Sequence, residues 1–300
     1  MVVKNIMKII LSRKGFDSEA GGYPSPLFID EKYHVSLPIP EDIDGNSIDT
    51  GITYSDIYLK EGNTYADVMD SLGIKGFEKR YVHLDPDVNA STKKNRDAAW
   101  RGIFGQCSTS QSHLANQKVE EGDLFLFFGW FKDVKKINGK YTFVNKTDKQ
   151  VIWGYLQVGK IESISKQENY EEWKLSHPHY YDRNRTKNTA YIASEKLSFN
   201  STLPGYGWLN YDESLVLTCG GQSNRSLWKL PRFFHPQFNT KMTFHKKLIS
   251  PKGNPIWQLK DDYCVLQTVG RGQEFVISGN KEVEEWAKEI LQRNGGILWS

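Results

Sequence analysis

The stretch Ser12-Arg13-Lys14-Gly15-Phe16-Asp17-Ser18, followed by Gly21-Gly22 and Pro24-Ser25-Pro26, sets two cations and a carboxylate beside a glycine-rich loop. Arginine and lysine so placed can grip a phosphate, and the neighbouring carboxylate can serve as a general acid or base. Asp17 is the leading candidate for that carboxylate, with Asp85 and Glu274 behind it. The same spacing also fits a solvated turn with a surface Arg–Asp pair. A second stretch, Gln106 to Gln117, carries Gln106, Ser108, Thr109, Gln111, His113 and Asn116. Amide side chains offer the donors and acceptors needed to read a base edge; an exposed polar helix is the competing reading. The third runs from Gly220-Gly221 through Arg225 and Trp228 to Arg232, and could clamp a backbone phosphate or stack on a base. Gln273-Glu274, after Gly270-Arg271-Gly272, is similar in kind, and each also fits a plain loop. Asp85-Pro86-Asp87 brings two carboxylates together in a rigid turn, where a turn or capping role is the default.

Other chemistries are absent. No GxGxxG follows a strand, and there is no GxxxxGK[ST], HExxH or GxSxG. Dehydrogenases, P-loop enzymes, zinc proteases and serine hydrolases are thereby set aside. His177 and His179 flank Pro178 and would suggest a metal only if carboxylates converged on them; a surface-loop or hydrogen-bonding role is expected instead. No metal ligand and no cofactor are assigned. Cys107, Cys219 and Cys264 are odd in number and widely spaced, as reduced thiols of a cytoplasmic protein would be.

The elements that must position these residues follow from patterning. The 300 residues can form one domain, and that is the expectation for 1–300. Lysine and arginine number 39 against 36 acids, so the net +3 permits a nucleic-acid partner without demanding one. Aromatics reach 13% with nine Trp, which suits both a β-rich core and a ring-stacking site. No apolar run is long enough for a membrane span. Ile6–Leu11 reads as a buried first strand, and Thr64–Leu72 as a helix capped by Asn63 or Thr64 and stopped by Gly73. Leu124–Phe131 reads as a strand buried on both faces, Asn138-Gly139 as a type I′ hairpin, and Val151–Ile161 as a strand with bulges at Gly154 and Gly159. Tyr206–Cys219 and Tyr263–Val269 add strands. A helix after Asn280 places Val283, Trp286, Ala287, Ile290 and Leu291 on one face and ends at Asn294-Gly295-Gly296. Strands and helices do not alternate, which predicts α+β: a curved, barrel-like, mostly antiparallel sheet with peripheral helices.

The segments at Met7–Pro26, His83–Asp87 ("HLDPD"), Ser112–Phe131 and Gly272–Val276 ("GQEFV") resemble the nucleotide-modification-associated domain 3 family across nearly the whole chain. The resemblance implies phage and bacterial systems that make or attack hypermodified DNA bases. A second similarity of pattern, over about 120–164, is to PUA and EVE barrels, which hold an extruded base in an aromatic pocket; Phe128, Trp130, Trp153 and Tyr155 would then line it or pack the core. Together these imply a DNA-binding, antiviral hydrolase: a DNA glycosylase that flips out and excises a hypermodified base, such as glucosylated hydroxymethylcytosine, from DNA carrying modified bases. In that scheme Asp17, Asp85 or Glu274 supplies the carboxylate and Arg13 and Lys14 bind phosphates. Gln106, Gln111, His113 and Gln273 contact the base or sugar, Trp130 lines the pocket, and Arg225 and Arg232 clamp the backbone. The alternatives are a non-catalytic reader of modified bases and an enzyme that builds or trims the modification.

Overall fold

The computed structural model describes residues 6–41, 51–59, 62–220, 224–270 and 274–297. In chain order the strands are β1 (Ile9–Arg13), β2 (Ser25–Phe28), β3 (Tyr33–His34), β4 (Ile103–Gln106), β5 (Leu124–Ile137), β6 (Lys140–Phe143), β7 (Lys149–Ser163) and β8 (Thr189–Ala193). They continue as β9 (Lys196–Leu197), β10 (Asn200–Pro204), β11 (Tyr206–Leu209), β12 (Leu227–Pro231), β13 (Lys241–Met242), β14 (Trp257–Leu259), β15 (Tyr263–Gln267), β16 (Glu274–Ser278) and β17 (Gly295–Ile297). The helices are α1 (Tyr65–Ser71), α2 (Ser108–Asn116), α3 (Pro178–Tyr181) and α4 (Lys281–Asn294).

The main sheet runs β13-β16-β1-β5-β7-β11-β17, with β2, β3, β4, β6 and β8 attached to its sides. Its hub is the long antiparallel pair β5–β7. Every pairing between the named strands is antiparallel except β1 with β5 and β2 with β5. The chain is therefore mixed α/β and mostly sheet, as expected, but the sheet is curled and open. A closed barrel is absent among the described residues: β13 and β17 end the path unpaired with each other. The strand-pattern similarity to PUA and EVE barrels is thus not matched by closure.

The alternation of side chains along a strand explains why β5 is so apolar. Phe125 and Phe127 face Phe104 and Tyr191 on one side, with Phe104 5.0 Å from Phe125. Phe128 turns to the other side, against Trp228 at 5.1 Å and Phe275 at 6.2 Å. The bulge expected at Gly159 forms, and the one expected at Gly154 falls one residue earlier, at Trp153. Phe127 pairs Gly154 and Phe128 pairs Ile152, leaving Trp153 over; Val158 pairs Ala193 and Lys160 pairs Ile192, leaving Gly159 over. Asn138 and Gly139 both take positive φ at the β5–β6 turn, as a type I′ hairpin requires. Helix α1 begins at Thr64 in a capping box with Asp67.

Some boundaries differ from expectation. The first strand starts at Ile9 and reaches Arg13, so Arg13 is the last residue of a strand held on both sides by β16 and β5. The expected strand over Tyr206–Cys219 stops at Leu209, where Asp212 caps a 3-10 turn. Gly295 ends α4 with extended φ −81° and leads into β17, in place of a left-handed cap. No helix among the described residues is long and apolar enough to cross a membrane.

Candidate functional site: an arginine and tryptophan cleft

Three elements bring distant residues to one cleft. The end of β1 and its loop supply Arg13, Asp17 and Ser18; β5 and the start of β7 supply Phe128, Trp130 and Gln150; the small sheet β12-β15-β14 supplies Arg225 and Trp228 from one side and Thr268, Val269 and Gly270 from another. The cleft has a volume of about 640 Å³, room for a nucleotide.

Arg225 packs its guanidinium 3.9 Å above the Trp130 ring and donates from Nη2 to Ser18 Oγ at 3.1 Å. The Trp130 indole N–H in turn donates to Asp148 Oδ1 at 2.7 Å, which fixes the ring. Burial lowers the Arg225 pKa, and Asp148 and Asp17 partly restore it against Arg13. Arg13 donates to the carbonyl of Gly270 at 3.3 Å. Asp17 is half-buried. Its Oδ1 accepts the backbone N–H groups of Glu19 at 2.8 Å and Ala20 at 2.7 Å, an Asx-type turn that holds the loop. Its Oδ2 accepts no hydrogen bond among the described residues. Gln150 was missed by sequence reasoning, since one glutamine in a strand carries no signal. It is 6% exposed, and its amide oxygen is buried with no hydrogen-bond partner among the described residues. Such orphans are rare in folded proteins; this oxygen is closed to solvent although Gln150 lines the cleft.

The remaining candidates fall elsewhere. Lys14 follows Arg13 and points to the other face of the sheet, where its ammonium lies 3.3 Å from Glu274 Oε1 and 4.7 Å from the Phe104 ring centre. Gln106 donates to the same Glu274 oxygen at 2.6 Å, and Glu274 is 2% exposed. Gln111 lies close by, accepting from the Tyr191 hydroxyl at 2.9 Å. His113 stacks on Phe244 at 4.7 Å, and burial lowers its pKa. These residues meet one another rather than the cleft, although Phe275, next to Glu274, lines it. Helix α2 buries Gln111 and Leu114, so it is not the fully exposed polar helix of the competing reading. Arg232 donates to the Asp261 carbonyl at 2.8 Å, at the far end of β12 from Arg225. Gln273 lies outside the described residues.

Asp85 belongs to a third group. His177 and His179, expected in a surface loop or hydrogen-bonding role, are each 2% exposed because α3 packs against β4. A Cβ on Gly105 would lie 2.1 Å from the His179 ring, so β4 needs glycine there. Asp85 accepts the Gly105 N–H at 2.7 Å, and His177 Nε2 stands 3.3 Å from its Oδ1. Burial alone would raise the Asp85 carboxyl, but His177, His179 and His83 outweigh it and hold the pKa well below the usual carboxylate range.

No curated protein and no solved structure shows significant similarity to the chain. Residues 8–278, from β1 to β16 and including every cleft residue named above, match one family of sequences. The chain belongs to the nucleotide modification associated domain 3 family.

Proposed function

We propose that the cleft takes a nucleotide flipped from DNA that carries modified bases, and that the protein is a DNA glycosylase of phage defence acting on a hypermodified cytosine such as the glucosylated hydroxymethyl form. The observation that carries the reading is the meeting of Arg13, Asp17, Trp130, Gln150 and Arg225 in the lining of one cleft. Family membership supports involvement in nucleotide or DNA modification. Arg13 and Arg225 suit the phosphates flanking an extruded base, and the Arg225–Trp130 stack is a flat wall for the base itself. Gln150 suits an exocyclic amine on the base edge.

The reaction needs no cofactor. The base leaves C1′ with the bonding electron pair and is protonated. Asp17 Oδ2 stabilises the oxocarbenium-like sugar or takes the proton of the water whose oxygen joins C1′. Glu274, with Lys14, Gln106, Gln111 and His113, braces the β1–β16 side of the cleft.

A second reading, a non-catalytic reader, is favoured by one fact: Asp17 Oδ1 is already committed to its own loop. The deciding experiment incubates the full chain with DNA containing glucosylated hydroxymethylcytosine and with unmodified DNA, and measures released base and abasic sites. Release from the modified DNA alone is expected. Selective binding without release assigns the reader, and neither signal overturns both.

A further inference from the structure

Away from the cleft, Asp85 is enclosed by three imidazoles whose orientations are fixed by bonds on their far sides. The Asn188 amide donates from Nδ2 to the His179 carbonyl at 2.8 Å and the Asp182 carbonyl at 3.3 Å, so its Oδ1 must be the atom that faces His179 Nδ1 at 2.5 Å. His179 therefore carries its proton on Nδ1. Its Nε2 stands 3.8 Å from Asp85 Oδ2. His83 is set the same way: its Nδ1 pairs with the Glu41 carboxylate, which accepts only, and Nε2 lies 3.9 Å from the same Asp85 oxygen. Glu41 is in turn anchored by Arg185 at 2.8 Å.

These separations are too long for hydrogen bonds, and Oδ2 accepts none among the described residues. One carboxylate oxygen and two imidazole nitrogens thus converge in a buried site with no hydrogen bond among them, an arrangement that a cation at their centre would satisfy. The donor atoms of His83, Asp85 and His179 all fall within 4.8 Å of one another. Ligands of a tetrahedral ion at about 2.0–2.1 Å stand about 3.3–3.4 Å apart, so the two edges to Asp85 Oδ2, at 3.8 and 3.9 Å, would close by about 0.5 Å and the His83–His179 edge by at most about 1.5 Å. Glu41 and Asn188 hold the two imidazoles as the outer partners of metal-bound histidines do. His177 takes a different part. Its Nδ1 faces the His179 N–H at 3.4 Å, and its Nε2 lies 3.3 Å from Asp85 Oδ1 without forming a hydrogen bond.

We propose that His83 Nε2, Asp85 Oδ2 and His179 Nε2 bind one divalent first-row transition-metal ion. Two imidazoles and one carboxylate suit zinc, iron(II) or manganese(II), and three protein ligands leave a coordination position open, as catalytic rather than purely structural sites do. The proposal is independent of the glycosylase reading, because none of the three ligands lines the cleft.

The test is metal binding by the full chain after chelation and dialysis, with Zn²⁺, Mn²⁺ and Co²⁺ each titrated calorimetrically and Co²⁺ also followed by its visible bands. One equivalent of at least one ion is expected, with a thermal midpoint that rises as that ion is added. Asp85→Asn, which keeps the acceptor for Gly105, should remove the site. Asn188→Leu, which touches no ligand atom, should weaken binding about 10–100-fold and carries the test if Asp85→Asn does not fold. Glu274→Gln should leave stoichiometry unchanged. A folded wild-type chain that binds none of the three ions, or binding that persists unaltered in both Asp85→Asn and Asn188→Leu, would overturn the proposal.

Discussion

The cleft and the histidine group are built on opposite principles. In the cleft, charged and aromatic groups arrive on loops and strand ends, and Asp17 Oδ2 and the buried Gln150 Oε1 have no hydrogen-bond partner among the described residues. Around Asp85, three histidines and a carboxylate are buried, and Asp85 Oδ1 and the Nδ1 atom of each imidazole are pinned by neighbours while the inward-facing atoms are not. An adaptable surface suits a large substrate that must enter and leave. A pinned, dry constellation suits something small, held at fixed distances. The contrast means that damage to one region should leave the other working, and the experiments below are ordered by how much they should change.

The largest effect is expected from Asp17→Asn. Asparagine retains an oxygen to accept the Glu19 and Ala20 amides, so the loop should stand. Excision should fall by about 10²–10⁴-fold, the usual worth of a positioned acid or base, with DNA affinity nearly unchanged. Full activity in this variant would remove Asp17 from the chemistry and leave the cleft as a binding surface.

Acid should loosen the cleft wall through His245. This residue is fully buried, donates from Nδ1 to the Thr243 carbonyl and accepts the N–H of Val269, a cleft residue, on Nε2. A ring that must accept cannot be protonated, and burial pushes its pKa down to about 4 from the ordinary 6.5. Below pH 6.5 the unfolded chain takes up a proton that the folded chain refuses until about pH 4. Stability is thus complete above 6.5 and falls as pH drops through that window, by on the order of 3 kcal/mol. Thermal midpoints measured from pH 7 to 4 should show the decline, and His245→Gln should flatten it. Identical profiles in the two proteins would exclude His245 as a source.

A Gly105→Ala variant asks whether the two regions are independent. Its methyl group would strike the His179 ring, and overpacking of this kind costs about 1–3 kcal/mol. Metal binding should weaken while affinity for modified DNA holds. A parallel loss of both would join the regions into one site.

How much of this could be read from the sequence depends on how far apart the cooperating residues lie. Local signals were legible: Thr64 and Asp67 three residues apart make the capping box, Asn138-Gly139 makes the hairpin, Gly159 is a bulge, and Gly154 stands one residue from the bulge at Trp153. Arg13, Asp17, Trp130 and Arg225 were named for their chemistry, but nothing local says that they meet, because β1 reaches β5 across more than a hundred residues. Lys14 looked like the twin of Arg13. One residue along a strand reverses the face, and it is Glu274 that Lys14 meets. Glu41 stands in no motif and His83 only opens the HLDPD segment with no role of its own; their pairing is made by topology, with Glu41 N–H bonded to the Tyr81 carbonyl. His177 and His179 were passed over as metal-linked residues for want of a converging carboxylate, and the fold supplies Asp85 from nearly a hundred residues away.

The smallest and most discriminating expectation concerns the two cleft arginines. If each neutralises one phosphate, Arg13→Ala and Arg225→Ala should each weaken binding uniformly across sequences and lower the slope of log affinity against log salt by about 1. Arg225 has a further duty that charge alone does not fill, because its planar guanidinium covers Trp130 and reaches Ser18. Arg225→Lys keeps the charge and loses that stacked plane. It should therefore retain the wild-type salt slope and yet lose preference for modified over unmodified DNA, measured by competition binding. If the lysine variant keeps the preference, the Arg225–Trp130 wall does not touch the base, and recognition must rest on Gln150 and the aromatic floor of Phe128, Trp228 and Phe275.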